Sequence, residues 1–280
     1  MISTITQLSM GVCDNRVMKF PPDQPLARGR TADVYDWDEG HILKLFHNWF
    51  PLEDIQYELR IARAVHASGV KAPAVRELVQ VNGRNGLIYE RIRGESMLTM
   101  FQRKPWMIFS HARTLARLHV QMHECVFDAD VPDQHRKLDY KLRHADALPT
   151  PLKAVLFNSL LSLPEGSRVC HGDFHPANVL LTETDSTVID WIDASRGNPL
   201  ADVARTSIIL LGAAASSQVP NPLLKVFVRT FHSAYLRGYF RLKPGGYEEY
   251  RRWLPIVAGA RLSEGIQELE TWLVKQAAGV

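Results

Sequence analysis

Apolar residues along the chain fall into two periodicities, and the switch between them divides it. In the first third they cluster in short runs broken by glycine and asparagine. Leu26 to Trp37 reads as strand, turn and strand, with Gly29 free to take positive φ and to let backbone N–H groups approach an anion. His41 to Phe46 is a further run that carries Lys44 among apolar neighbours, where a strand lysine ordinarily faces solvent. Tyr57 to His66 has Leu59, Ile61, Ala62 and Val65 at helical spacing and stops at Ser68-Gly69. Glu53 and Asp54 precede it as favourable charges near a helix start. Ala74–Val81 and Gly86–Glu90 read as strands joined across Asn82-Gly83, a hairpin signal, and Gly94 breaks the run that follows.

Beyond that point the spacing is mainly helical. Ser110 to Met122 places Leu115, Leu118 and Met122 on one face. Asp128 to Pro151 is polar, holds several prolines, and reads as a mobile connector whose Asp139, Lys141, Arg143 and Asp146 form a solvated face. Leu152 to Leu163 is amphipathic. Asn198-Pro199 is a cap followed by proline at the first helical position, and that helix runs on through Leu211. Phe227–Phe240 and Tyr247–Glu270 complete the helices. Between them lies one hairpin: Asn178–Thr182 as a strand, Glu183–Ser186 as a turn, Thr187–Ile189 as the return.

Composition narrows the function classes. A chain of 280 residues holds one large or two smaller packed units, and 46% apolar content is ordinary for a soluble globular enzyme. The formal charge of +3, without a basic cluster interleaved with aromatics, does not point to nucleic acid. Cys13, Cys125 and Cys170 are odd in number and far apart, which suits a reducing cytoplasm and makes no disulfide framework. The N-terminus lacks the basic start and apolar core of a signal peptide. Ser207–Ala215 is apolar but far short of a membrane span, so no membrane partner is expected. Nothing in the sequence sets the oligomeric state.

The chemistry concentrates in Cys170–Asp193, C-H-G-D-F-H-P-A-N-V-L-L-T-E-T-D-S-T-V-I-D-W-I-D. His171, Asp173 and Asn178 lie before or at the first strand of the hairpin and Asp190 at the end of the second, so these groups converge at its open end. Two carboxylates and a carboxamide there make an oxygen-rich site for a hard cation such as Mg²⁺. The segment resembles the catalytic segment of the aminoglycoside phosphotransferase and choline kinase-like enzymes, H-G-D-x-x-x-x-N followed by I-D-W, met at every fixed position, with Gly172 where protein kinases carry Arg. That resemblance implies an α+β, two-lobed protein kinase-like fold. It has a small antiparallel-sheet lobe with one helix over residues 1–92 and a larger, mainly helical lobe over 93–280.

It also implies roles. Asp173 accepts or orients the proton of an attacking hydroxyl, and Asn178 and Asp190 hold Mg²⁺ on the phosphates of ATP or GTP. Lys44 contacts the α and β phosphates with Glu58 as its partner, the Gly29 loop covers the phosphates, and the Glu90 carbonyl and Ile92 amide meet the base. His171 braces the loop. Asp193 reaches either the second metal shell or the acceptor, or caps structure; His175 is left without a settled role. Asp202 bonds backbone or the catalytic loop. Arg261, Glu264, Glu268 and Glu270 are the polar candidates of the C-terminal region. Glu264 and Glu268 would share a helix face, to hold a cationic amino sugar or to form a wet surface. The expected reaction is γ-phosphoryl transfer to a hydroxyl of a small molecule, an aminoglycoside-like antibiotic among the acceptors. No A-P-E segment follows, which argues against a regulated protein kinase. Two rival readings stand beside it: a metallohydrolase built on His171-x-Asp173-x-His175, and a catalytically silent nucleotide-binding protein. A zinc site on His119 and His123 lacks the glutamate of H-E-x-x-H and an evident third ligand.

Overall fold

The computed structural model describes residues 24–127, 131–219 and 221–279. Cys13 and the N-terminal stretch read for a leader, and Asp128 at the head of the connector, lie outside the described residues. The chain opens with β1 (Ala27–Arg28), β2 (Ala32–Asp38), β3 (His41–Phe46), α1 (Leu52–Ala67), β4 (Val75–Val81) and β5 (Arg84–Glu90). The strands form one antiparallel sheet in the order β1-β2-β3-β5-β4. Asn82 and Gly83 turn the β4–β5 hairpin with φ of 49° and 76°, as a tight turn with two left-handed residues requires.

Alternation along β3 gives the sheet two apolar faces. Leu43 and Leu45 pack with Ile88 on one side. Phe46 packs with Ala32, Leu87 and Ile55 of α1 on the other. Lys44 shares the parity of Phe46, so its side chain is sent toward α1 and not to water. The helix expected from Tyr57 begins at Leu52. Glu53 and Asp54 therefore sit in its first turn, where the helix dipole favours them, and Ile55 supplies its first buried contact.

The chain continues with β6 (Glu95–Ser96), α2 (Met97–Arg103), α3 (Ile108–Glu124), α4 (Gln134–Arg143), α5 (Thr150–Leu161), β7 (Arg168–Cys170), β8 (Val179–Leu181), β9 (Ser186–Val188), β10 (Ser195–Gly197), α6 (Pro199–Ala215), α7 (Pro222–Leu242), α8 (Tyr247–Arg261) and α9 (Glu270–Ala277). One apolar core unites the helices, with Leu115, Ile208, Tyr235 and Trp253 at its centre. A small sheet, β6-β8-β9, and the pair β10-β7 are laid on it.

Four expectations are corrected here. The polar stretch after Asp128 is no simple connector, because α4 forms within it. Asp133 caps that helix by accepting the Arg136 N–H at 3.0 Å, and Leu142 anchors it in the core; a polar helix with one apolar edge reads as a loop when only its composition is weighed. The helix expected over Tyr247–Glu270 ends at Arg261 and gives way to two 3₁₀ turns, with Gly265 at φ +65° where a left-handed residue breaks it. Asn178 belongs to a 3₁₀ turn, Pro176–Asn178, ahead of β8 and not to the strand itself. The helix read from Phe227 starts earlier, at Pro222, behind an Asn221 cap that repeats the Asn198-Pro199 signature. Among the described residues no helix is long and apolar enough to cross a membrane.

Trp253 is fully buried at the middle of the helical core. Replacing it with alanine is expected to cost about 3–5 kcal/mol, the range for emptying a large aromatic site. A shift of the urea midpoint checks this, and an unshifted midpoint would contradict the packing described.

Candidate active site

The loop from His171 to Asn178 is held from below by one carboxylate. Asp202, near the start of α6, is wholly buried and accepts the His171 N–H at 2.7 Å and the Gly172 N–H at 2.8 Å. Its Oδ2 also lies 3.1 Å from His119 Nε2 and 3.3 Å from His123 Nε2. The far nitrogens of those two rings meet the hydroxyls of Tyr235 at 2.6 Å and Tyr239 at 2.9 Å. Burial raises the cost of the Asp202 charge, yet these donors outweigh it and hold the carboxyl well below its usual range. Burial also drives His119 down to about 3, so its ring is neutral, with Nε2–H donated to Asp202 and Nδ1 accepting from Tyr235.

His119, His123 and Asp202 are the group of three among the described residues whose ligand atoms lie within 4.8 Å of one another. Asp202 is the third ligand missing from the sequence reading. All four ring nitrogens already have partners, so the cluster reads as a hydrogen-bonded brace and not as a metal centre. The same logic removes the metallohydrolase. His171 Nε2 meets the Ile189 carbonyl at 3.0 Å, and its Nδ1 accepts from the Asp173 N–H at 3.2 Å. Neither nitrogen is left for a metal.

At the open end of the β8–β9 hairpin, the Ile189 N–H donates to the Asn178 carbonyl at 3.0 Å, which sets Asp190 beside Asn178. Asp190 has a φ of 63°, uncommon for a residue with a side chain, and its Oδ1 lies 3.7 Å from Lys44 Nζ. Lys44 donates to Glu58 Oε1 at 2.7 Å, and Tyr89 donates to the same oxygen at 2.8 Å. Burial works against the ammonium, but Glu58 and Asp190 overcome it and raise the Lys44 pKa. Desolvation, then the Glu58 charge, pushes Tyr89 well up, so its phenol stays a donor.

Asn178 spends its amide hydrogens on Asp173, at 2.9 Å to the carbonyl and 3.5 Å to the carboxylate. Its carboxamide oxygen and the half-exposed Asp190 carboxylate remain as oxygen donors of the type a hard cation takes. For Asp173, burial would raise the pKa. The His175 ring at 3.4 Å and Arg205 at 3.8 Å outweigh it and hold the carboxylate well below its ordinary value. Gly172 has φ +79°, and a Cβ there would fall 2.5 Å from the Asp193 carbonyl, so the loop closes onto Asp193 only with glycine. Lys137 of α4 binds that carbonyl at 2.7 Å and the Asp193 carboxylate at 3.4 Å.

The remaining candidates divide. Gly29 does not adopt positive φ. It allows a tight turn in which its own N–H donates to Ala32 at 2.9 Å, and a Cβ would crowd that carbonyl at 2.9 Å. Glu90 and Ile92 flank the exit of β5; the Glu90 carboxylate accepts the Ala74 N–H at 3.2 Å. Glu264 and Glu268 do not share a helix face. Glu268 binds Gln218 at 2.9 Å on the surface. Glu264 turns inward to Arg205 at 2.7 Å, with Lys141 at 3.3 Å and Arg261 at 3.7 Å. Lys141, assigned to a solvated face, therefore points into the cleft. Tyr89, Lys137 and Arg205 were not anticipated. Arg205 had a signal, since it lies one helical turn beyond Asp202.

The family model described as "Phosphotransferase enzyme family" matches residues 23–253. No curated protein matches the chain in sequence. Among solved structures, a thermostable mutant of aminoglycoside phosphotransferase APH(4)-Ia is similar, with TM-score 0.59, 15% identity, 91% of this chain and 92% of that one covered. Amicoumacin kinase hAmiN, in complex with AMP-PNP, Ca²⁺ and Ami, gives TM-score 0.60 and 15% identity over 91% of this chain and 86% of that one. Choline kinase from Cryptosporidium parvum Iowa II gives 0.51 and 13% over 91% and 88%. At these identities the likeness establishes the kinase-like fold.

A neutral buried His119 gives the fold a pH signature. The unfolded chain takes up a proton near 6.5 that the folded one refuses until about 3, so stability falls as pH drops through that window. His232, lowered to about 4 by burial, adds in the same direction. Between pH 6.5 and 5, above the range where the depressed carboxylates titrate, His119 is expected to account for a loss of about 2 kcal/mol. Urea midpoints at pH 7, 6 and 5 should decline, and less steeply in His119→Gln. Midpoints flat across that range would contradict the neutral ring.

Proposed function

The chain belongs to the phosphotransferase enzyme family, and on that premise we propose that it moves the γ-phosphoryl group of ATP or GTP to a hydroxyl of a small molecule. The observation that carries this is the Lys44 ammonium held between Glu58 at 2.7 Å and Asp190 at 3.7 Å. The hairpin that carries Asp190 is tied to Asn178 by the Ile189 N–H, and Asn178 is tied to Asp173 by its side-chain amide. A triphosphate lying along this line meets a cation at one end and a carboxylate at the other. Residues 1–92 then serve as the nucleotide lobe and 93–280 as the catalytic and acceptor lobe.

Lys44 takes the α and β phosphates, and Glu58, steadied by Tyr89, fixes its reach. The turn at Gly29 lies over the phosphates, and the Glu90 carbonyl and Ile92 amide meet the base. Asp190 and the Asn178 carboxamide oxygen would hold Mg²⁺, which neutralises charge on the transferring group. Asp173 faces the acceptor hydroxyl. Its pKa is held low by His175 and Arg205, so it is a weak base that chiefly aims the hydroxyl at phosphorus and receives its proton late. Arg205 also donates to the Gly172 carbonyl at 2.9 Å, which ties the loop bearing Asp173 to α6.

Two substitutions separate these roles. Asp173→Asn is expected to lower the transfer rate on the order of 10²–10⁴ while nucleotide affinity holds. Asp190→Ala should instead lose the Mg²⁺-dependent part of nucleotide binding, read by calorimetry with and without the metal. An Asp190→Ala protein of full activity would exclude the metal assignment.

A further inference from the structure

Along α4 the structure opens a cavity of about 1030 Å³. It shares Lys137 and Lys141 with a small inner chamber of about 50 Å³ that reaches Gly172, Arg205 and Arg261. The inner wall gathers four cations. Lys137 and Lys141 come from α4, Arg205 from α6 and Arg261 from the end of α8. The two carboxylates that answer them are Asp193, which meets Lys137 at 3.4 Å, and Glu264, which is shared by Arg205, Lys141 and Arg261 at 2.7, 3.3 and 3.7 Å. With Asp173, 3.8 Å from Arg205, and Asp202, which also lines the inner chamber, four acids face four cations, but the Asp202 oxygens are already met by four donors of the brace.

Arg261 is the cation here whose donors are left over. Its side chain is 11% exposed, and its Nε and Nη1 are buried without a hydrogen-bond partner. A buried guanidinium whose donors go unmet is costly. Burial, together with Arg205, lowers it to about 10, and burial lowers Lys137 in the same way, with Lys141 and Arg205 adding to it. The outer cavity adds Arg60, Arg136 and Arg196 against Asp133 and Glu165, an excess of one positive charge. A polycationic amino sugar entering here meets like charge, whereas an oxyanion gives the open donors of Arg261 an acceptor.

We propose that the acceptor is an anionic hydroxyl compound, bearing a carboxylate or a phosphate that seats against Arg261, Lys141 and Lys137 while its hydroxyl points to Asp173. This rests on the phosphotransferase reading. In the step, the acceptor oxygen bonds to the γ-phosphorus, the bond from that phosphorus to the β–γ bridging oxygen breaks, and the hydroxyl proton passes to Asp173 or solvent as ADP or GDP leaves.

The test sets three panels against the full chain with Mg²⁺ and ATP or GTP: hydroxycarboxylates such as glycerate, sugar phosphates such as glucose 6-phosphate, and aminoglycosides such as streptomycin. Nucleotide consumption and Tm are read for each, with inorganic phosphate as a bare anion in the Tm arm. One of the two anionic panels is expected to drive consumption or raise Tm, and which one does so tells carboxylate from phosphate. Arg261→Gln, and Lys141→Gln should the first not fold, are expected to raise KM for that acceptor roughly tenfold or more, with a smaller effect on kcat, for loss of a charge-assisted contact. Turnover with the aminoglycosides, or no effect from either anionic panel and inorganic phosphate, overturns the inference. Calorimetry with the Mg²⁺-bound nucleotide is read separately: absence of binding there strikes the phosphotransferase reading itself, and this inference with it.

Discussion

A single carboxylate with no exposure to water organises the helical half of this molecule. Asp202 cannot keep its charge in the helical core unless each oxygen is met, and four donors meet them: two backbone N–H groups of the loop and the Nε2 atoms of His119 and His123. The demand runs both ways. The two N–H groups belong to residues beside Asp173, so satisfying the buried charge sets where the loop sits. The two rings belong to α3, and each is locked by a tyrosine of α7. Three helices and a loop are thereby tied to one point by polar contacts that tolerate little displacement, because removing a partner from a buried charge typically costs 3–5 kcal/mol. Apolar packing gives the core its bulk, but it would tolerate small rotations of these helices; the hydrogen bonds would not.

The sheet side reaches the same end by a different route. Strand parity delivers Lys44 to the α1 face alongside Phe46, and the buried ammonium then takes Glu58 and Asp190 as partners. Glu58 belongs to the sheet lobe and Asp190 to the hairpin that packs on the helices. The Val188 N–H adds a second tie, donating to the Lys71 carbonyl at 3.0 Å. The cleft between sheet and helices is thus spanned by charge where a triphosphate would lie, and by backbone beside it.

How much of this could be read from the sequence follows from how local each feature is. The β8–β9 hairpin and its flanking polar residues were legible because spacing within one short segment decides which groups converge. Lys44 and Glu58 were legible only as an ordered pair, since parity on a strand is visible but the partner across a helix is not. The α4 helix was hidden because its few apolar residues, Leu138 and Leu142, are outnumbered by charges that face solvent or the cleft. The break at Gly265 was hidden too, since one glycine in an otherwise helical pattern does not declare its φ. Glu264 then landed among Lys141, Arg205 and Arg261, residues far apart in sequence, and no periodicity could have brought them together. Tyr89 reads as one more strand aromatic until Glu58 is placed beneath it.

These two routes leave the cleft electrostatically uneven. On the side proposed for the nucleotide one cation is shared by two carboxylates, which leaves it negative on its own. On the side proposed for the acceptor one carboxylate, Glu264, is shared by three cations. Asp173 meets Arg205 of the cationic wall and His175 of its own loop. Its depressed pKa follows first from His175 in its own loop and then from Arg205 on the cationic wall. In a family where the fold is held in common, this wall is the part a chain is free to recharge, because Lys137, Lys141 and Glu264 sit on α4 and on the turn after α8, outside the contacts that fix Asp202. On the proposed reading, the buried brace sets where transfer occurs, and the charges on these peripheral elements set what is drawn there.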